Sequence, residues 1–333
     1  MNIKGKLDQS NLVIVAKYFN SIDDFKHLEM TNSKYKRIIE QFNYNPISIT
    51  RKTRKLFSQL EHLHLYSERD ILFKEDKQIK KRIYWYKMQY SSYKKIKSDK
   101  VECKHISLSS DDIEKYGNKI PQGIHEIEDF CFYENEEIEL IVIPNTVTKL
   151  GRYAFSNCIE LSSIQLSTAI QSIGANCFGN CSKLESIILP SKCLFIDQNV
   201  FQYCTSLTKI ELPEMITSLP KNGFKYCQSL TSLTIPQHVT LIDANCFYYC
   251  SQMESILFKS SKIDFNEFCF AYCLSLKELE LPSETVSIGK EAFASCTSLS
   301  SITIPSTLVG YGDRCFKDCY HLEAYLQIPQ ECF

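Results

Sequence analysis

The stretch CFGNCSKLESIILP places Cys177 and Cys181 on either side of three residues, a spacing with several chemical uses. Two thiolates can supply half of a tetrahedral zinc site. A dithiol can cycle to a disulfide, and a buried free thiol is simply a small hydrophobe with a weak S–H donor. The same spacing recurs at 246/250, 269/273 and 315/319, in a chain holding 16 cysteines and 7 histidines. Which chemistry applies depends on the elements that carry the thiols.

Those elements repeat. From Phe178, steps of 23 residues in both directions meet Phe132, Phe155, Phe201, Phe224, Phe247, Phe270, Phe293 and Phe316 without a gap. Three residues after each Phe stand Cys158, Cys181, Cys204, Cys227, Cys250, Cys273, Cys296 and Cys319, and the first repeat alone departs, with Asn135. Leu, Ile or Met follows six residues after every Phe. Within a repeat, LESIILP predicts a short strand whose Ile187 and Leu189 share one face. A Pro ends most of these strands because it has no N–H to continue a ladder. A second apolar row lies five residues before each Phe, from Ile127 to Tyr311, and the segment between, such as GRYAF, suits a helical turn. One repeat cannot bury its own apolar face, whereas a stack shares a continuous core. At the usual strand spacing of about 4.8 Å, nine repeats make an array on the order of 40 Å long.

The pattern I-x4-F-x2-C-x2-L-x2-I-x-[LI]-P resembles the BspA-like leucine-rich repeat class over about residues 124–329. The resemblance implies a solenoid of short parallel strands that serves protein binding or adhesion, in some relatives at the cell surface, and it brings no catalytic residues. Departures are local: Ser167 and Lys259 replace Pro, Lys262 weakens an apolar row, and the last repeat drifts at Tyr325 and Gln327. The expected fold is therefore a leucine-rich repeat solenoid of 23-residue units with helical turns at 124–333. A capping or linker segment at 101–123 and a small, mainly α-helical domain at 1–100 precede it.

In this frame the eight cysteines from Cys158 to Cys319 read as structural thiols, with metal and redox roles as the alternatives. Parallel neighbours about 4.8 Å apart do not naturally supply the Cβ spacing and torsion of a disulfide. The other thiol row, one residue before each Phe, alternates Cys with Ala, Val and Gly, none of which binds metal. The histidines complete no zinc spacing, and no cofactor is called for. There is no phosphate loop, nucleophile elbow or metal-binding helix, so the chain does not read as an enzyme.

Function then falls to surface positions. The outward strand residues are mostly Ser and Thr, with an acidic spot at Glu278 and Glu280. Two residues after each Phe, a polar row turns aromatic at Tyr203, Tyr226, Tyr249 and Tyr272, and Tyr248 lies beside it. Tyrosine offers large contact area at modest entropy cost. These residues are the candidate contacts for a protein partner, the alternative being a self-packed ladder that covers the turns.

Residues 1–100 hold 22 Lys+Arg against 11 Asp+Glu, and the remainder 16 against 28. A basic head joined to an acidic body suggests different partners for each, or attraction between them. Leu12, Val15, Ala16 and Phe19 give the first helix an apolar face, SIDD opens a second with Phe25 and Leu28 inward, and Tyr35, Ile38 and Ile39 suit a third. This order resembles an F-box, without its usual leading Pro. The likeness implies docking to a ubiquitin-ligase adaptor through residues 10–40, with the solenoid selecting the substrate. Residues 56–73 predict a strand and turn, and CKHISL (103–108) a strand that caps the first repeat. Lys/Arg interleave with Tyr84, Trp85, Tyr86, Tyr90 and Tyr93, but no nucleic-acid fold accompanies them, which favours a solvated face over an aromatic core. No stretch reads as a signal peptide or membrane span, and the expected location is the cytoplasm, or the cell surface by an unconventional route. At the other end no polar cap follows Phe316, so an open strand edge is expected to pair with another molecule.

Overall fold

A computed structural model describes residues 9–31, 35, 37–322 and 328–333. The chain divides into two compact units, Met1–Ser107 and Leu108–Phe333.

The first unit begins with α1 (Gln9–Ala16) and α2 (Ile22–Thr31). Ser21 and Asp24 cap α2 reciprocally: the Asp24 carboxylate accepts the Ser21 N–H at 2.8 Å, and the Ser21 hydroxyl accepts the Asp24 N–H at 3.3 Å. Leu12, Ala16 and Phe25 are buried against Ile38, Ile39, Phe42 and Phe57. Phe19, Leu28 and Tyr35 pack against this core partly buried. Val15 differs from expectation and is exposed. At 100° per residue it sits at the margin of the stripe centred on Leu12 and Ala16, and the narrow core does not reach it.

The rest of this unit is a parallel ladder. Tyr44 bridges to His62. Strand β1 (His62–Leu65) pairs with β2 (Lys81–Gln89), with His62 opposite Lys81. Helix α3 (Tyr90–Ile96) follows, and β3 (Val101–Leu108) pairs with β2, with Arg82 opposite Val101. Partners are thus 18 or 19 residues apart. Asn45, fully buried, ties the ladder's start by accepting the His64 N–H at 2.8 Å and donating to the Ile47 and His64 carbonyls. The helices of this unit therefore occupy mainly its first third, and the aromatics read as a core beneath a solvated Lys face divide: Tyr84 is core, while Trp85 is exposed.

The second unit is the solenoid. After α4 (Ser110–Tyr116), capped by Ser109 and Asp112, each repeat contributes a strand of two residues and one of three or four. Strands of successive repeats pair in parallel at a register of 23, as in Ser186 opposite Lys209 and Ser172 opposite Phe195. The segment between them is a chain of i→i+3 turns. In the Phe178 repeat the N–H groups of Cys177, Gly179 and Cys181 donate backwards within the turn. Those of Asn176, Phe178 and Asn180 donate to Gln198, Val200 and Gln202 of the next repeat. This alternation needs two left-handed residues per turn, two before and two after the Phe, as at Asn176 (φ 54°) and Asn180 (φ 57°). A third ladder therefore runs along the turns and satisfies backbone groups that would otherwise be buried without partners.

Inside, the nine Phe rings form one column. Successive centroids lie 4.9–5.6 Å apart and planes within 16° of parallel. Leu108 offers its carbonyl to the Glu128 N–H at 2.9 Å, the contact that Ile127 makes to Gly151 one repeat later. Where Lys262 interrupts an apolar row, the adjacent Ile263 fills the core and Lys262 turns outward. Ser167, in a Pro position, is buried and caps the Ala169 N–H at 3.0 Å. At the far end the Phe316 N–H donates to the Cys332 carbonyl at 2.8 Å, and Ile328 and Cys332 are buried. The expected open end is thus covered on its turn side. The expected drift at positions 325 and 327 lies outside the described residues.

Candidate functional site

All 16 thiols are free, and 15 are buried. Each cysteine three residues after a Phe points its sulfur at the preceding repeat's Phe carbonyl, from Cys158 to Phe132 at 3.0 Å through Cys319 to Phe293 at 3.2 Å. The same carbonyl accepts a backbone N–H, so Phe178 O receives both Cys181 N–H and Cys204 S–H. Burial pushes the thiols of Cys158 and Cys204 up to about 12, and raises those of Cys181 and Cys227 well above their ordinary value too. A thiol held protonated is neither a nucleophile nor a metal ligand at neutral pH. Among the described residues no three His, Cys, Asp or Glu side chains converge as metal ligands.

The tyrosines meet on the turn side. Tyr203, Tyr226, Tyr249 and Tyr272 take left-handed backbone, φ 61–63°, uncommon for a bulky residue. Each is held by its N–H to the next repeat, for example Tyr226 to the Tyr248 carbonyl at 2.8 Å. Tyr203 and Tyr226 stack at 4.8 Å, Tyr226 and Tyr249 lie at 5.5 Å, and Tyr249 and Tyr272 at 5.9 Å. Tyr248 closes the cluster, 5.7 Å from Tyr226 and 5.3 Å from Tyr272. Burial raises its hydroxyl, and the neighbouring phenols add to the shift. Outside the aromatic stretch the row continues in polar form, with Asn180 donating to Asn157 at 2.9 Å and Ser295 to Asp318 at 3.2 Å. The row is one ladder in changing chemistry, and its aromatic section keeps Tyr203 and Tyr272 exposed at its two ends, at 44% and 37%.

Residues 125–254 and 217–332 match the model of the BspA type leucine rich repeat region, in six copies. The chain belongs to the BspA-type leucine-rich repeat family. A comparison with curated proteins gave no match. Among solved structures the chain is similar to a leucine-rich repeat protein of Eubacterium ventriosum, at 15% identity and TM-score 0.42, covering 87% of this chain and 86% of that one. It is also similar to one from Bacteroides ovatus, at 19% identity and TM-score 0.36, with 79% and 78% covered. A leucine rich cell surface protein of Faecalibacterium prausnitzii matches at 22% identity and TM-score 0.39, over 65% and 73%. The family assignment rests on the repeats.

The BspA-type solenoid also presents a strand face, where Glu278 and Glu280 lie exposed, away from the turn side that carries the tyrosines. A groove of ≈ 710 Å³ runs over this face between Lys209 and Lys259. Its charges answer one another: Lys209 pairs with Glu211 at 2.9 Å, and Lys259 reaches Glu214 at 2.8 Å. The tyrosine side differs. Lys225 lies 4.9 Å from the Tyr248 ring centroid and 5.5 Å from that of Tyr226, with no carboxylate partner among the described residues. Sequence reasoning passed over Lys225 and its neighbour Lys221. The signal was legible, since the turn segments 198–207, 221–230 and 244–253 contain no acidic residue in an otherwise acidic array.

Proposed function

We propose that the chain is a non-enzymatic scaffold whose solenoid binds a protein partner through the strip of Tyr203, Tyr226, Tyr248, Tyr249 and Tyr272. The observation that carries this reading is the strip itself. It is aromatic, and its five hydroxyls make no hydrogen bond to another described residue, in a fold whose thiols are all occupied or buried. Rigid tyrosines anchor interfaces because they bury much area for few torsions. The test replaces Tyr203, Tyr226, Tyr249 and Tyr272 by Asn, the residue that the same row uses at 157 and 180 with the same left-handed backbone. Proteins retained by the wild-type full chain are identified, purified and titrated against both forms. The reading expects affinity to fall at least roughly tenfold with an unchanged circular dichroism spectrum. Equal affinity would retire it.

A second reading, a substrate adaptor of a ubiquitin ligase, draws on the exposed apolar side chains Ile14, Val15 and Tyr18 at α1. Binding of the full chain to a purified adaptor, lost on Ile14→Asp with Tyr18→Asp, would support it; no binding would remove it. Among the described residues no helix is long and apolar enough to cross a membrane. The free thiols fit a reducing compartment, and protease treatment of intact cells distinguishes this from display at the surface.

A further inference from the structure

We infer that the tyrosine strip recognises an acidic segment of its protein partner, through phenol hydroxyls, ring edges and the ammonium groups of Lys221 and Lys225. The inference rests on the strip being the docking surface and adds the chemistry of what docks.

Three observations converge on an anion. The first is charge. Five other lysines of the solenoid (Lys149, Lys183, Lys209, Lys259 and Lys277) each hold a glutamate. Among the described residues Lys221 and Lys225, like Lys192, Lys262, Lys290 and Lys317, hold none, and Lys225 is set apart by resting on the rings of Tyr226 and Tyr248. On the flanking repeats, Asp197 accepts the Gln198 N–H, and Asp243 accepts from Ala244 and Asn266. Lys225 thus keeps an ammonium group on the strip itself without a carboxylate partner among the described residues.

The second is the orientation of the rings. An aromatic ring is negative on its faces and positive at its edge. Tyr203 and Tyr226 stack face to face within 5°, Tyr226 meets Tyr248 edge-on, and Lys225 takes further face area. The tyrosine faces are therefore largely spent within the strip, and the edges and hydroxyls remain for a partner. That arrangement suits carboxylates, which accept hydrogen bonds and are drawn to ring edges. It disfavours single-stranded nucleic acid, whose bases need open aromatic faces. The third is the hydroxyls, five donors with no described protein acceptor, with the Tyr248 phenol raised first by burial and then by the neighbouring phenols.

The test titrates the full chain with short fluorescent peptides of one backbone design, in acidic, neutral and basic versions, and with an oligothymidylate. Fluorescence anisotropy is read at low and at physiological ionic strength. The acidic peptide is expected to bind best and to weaken as salt rises. Lys221→Glu with Lys225→Glu is expected to weaken it roughly tenfold or more. Tyr→Phe at 203, 226, 249 and 272, which keeps the rings and removes the hydroxyls, is expected to weaken it several-fold. Circular dichroism and thermal unfolding establish that both variants stay folded. Acidic-peptide affinity unchanged by the lysine reversals would overturn the inference, as would tighter binding of the oligonucleotide or the basic peptide. A neutral peptide preferred in a tyrosine-dependent way would overturn the acidic preference and leave the strip as the docking surface. No tyrosine-dependent binding of any probe would overturn both.

Discussion

Cys204 shows what a single residue does in this fold. Its sulfur lies 3.0 Å from the Phe178 carbonyl and fills the turn of its repeat. Cys204→Ala removes a weak donor and opens a small void, and is expected to cost about 1–2 kcal/mol in urea unfolding. Cys204→Ser keeps a donor and should cost less. The order of the two variants reports whether the S–H bond matters beyond volume. His64 makes a different kind of statement. It stacks on Tyr44 at 4.7 Å, and burial, with help from nearby His62 and Lys104, lowers its pKa from 6.5 to about 4. The unfolded chain therefore takes up this proton first as pH falls. Its contribution to stability is complete above about pH 6.5 and declines towards pH 4. Thermal unfolding followed from pH 7 to 4 should show that slope, and His64→Phe should flatten it. Cys204 read as a structural thiol from its place in the 23-residue repeat, whereas nothing in the sequence around His64 pointed to its role.

At the scale of the element, the turn carries the information. Its alternation of backward and forward hydrogen bonds requires left-handed backbone two residues after the Phe, and Tyr249 sits there at φ 61°. Tyr249→Asn is expected to change stability by no more than about 1 kcal/mol, since Asn tolerates this region. Tyr249→Ile, β-branched, is expected to lose about 1–3 kcal/mol beyond the lost stacking. Equal costs in denaturant titration would contradict the left-handed turn. The strands were legible in the sequence, because Ile187 and Leu189 recur at a period of two, and both are buried while Ser186 and Ile188 are exposed. The turn was legible as a position but not as a conformation. Asn at 176, 180, 199, 222 and 245 pointed towards left-handed backbone, but Tyr, Phe and Glu in the same rows concealed it.

For the molecule as a whole, stability in a stack is carried by contacts between neighbouring repeats, here the Phe column and three ladders. A native sample should present at most Cys103, the partly exposed thiol that burial holds up at about 11, to a disulfide reagent on the timescale of mixing. All 16 should react in denaturant. Rapid native reaction of several thiols would show that the array opens locally. The solenoid itself was written in the sequence for a physical reason: each core contact recurs at i and i+23, so tertiary packing leaves a periodic trace in the chain. Phe, Cys and Leu recur because one cross-section must accept the same shapes in every repeat. The ladder from Tyr44 through His62 to Lys81 left no such trace, since its 18- to 19-residue spacing is filled by different side chains each time. Only the tertiary structure decided that Ile263 replaces Lys262 in the core, that the last residues cover Phe316, and that Lys225 lies over two tyrosine rings. Those outcomes depend on side-chain direction and on which surfaces meet, and periodicity is blind to both.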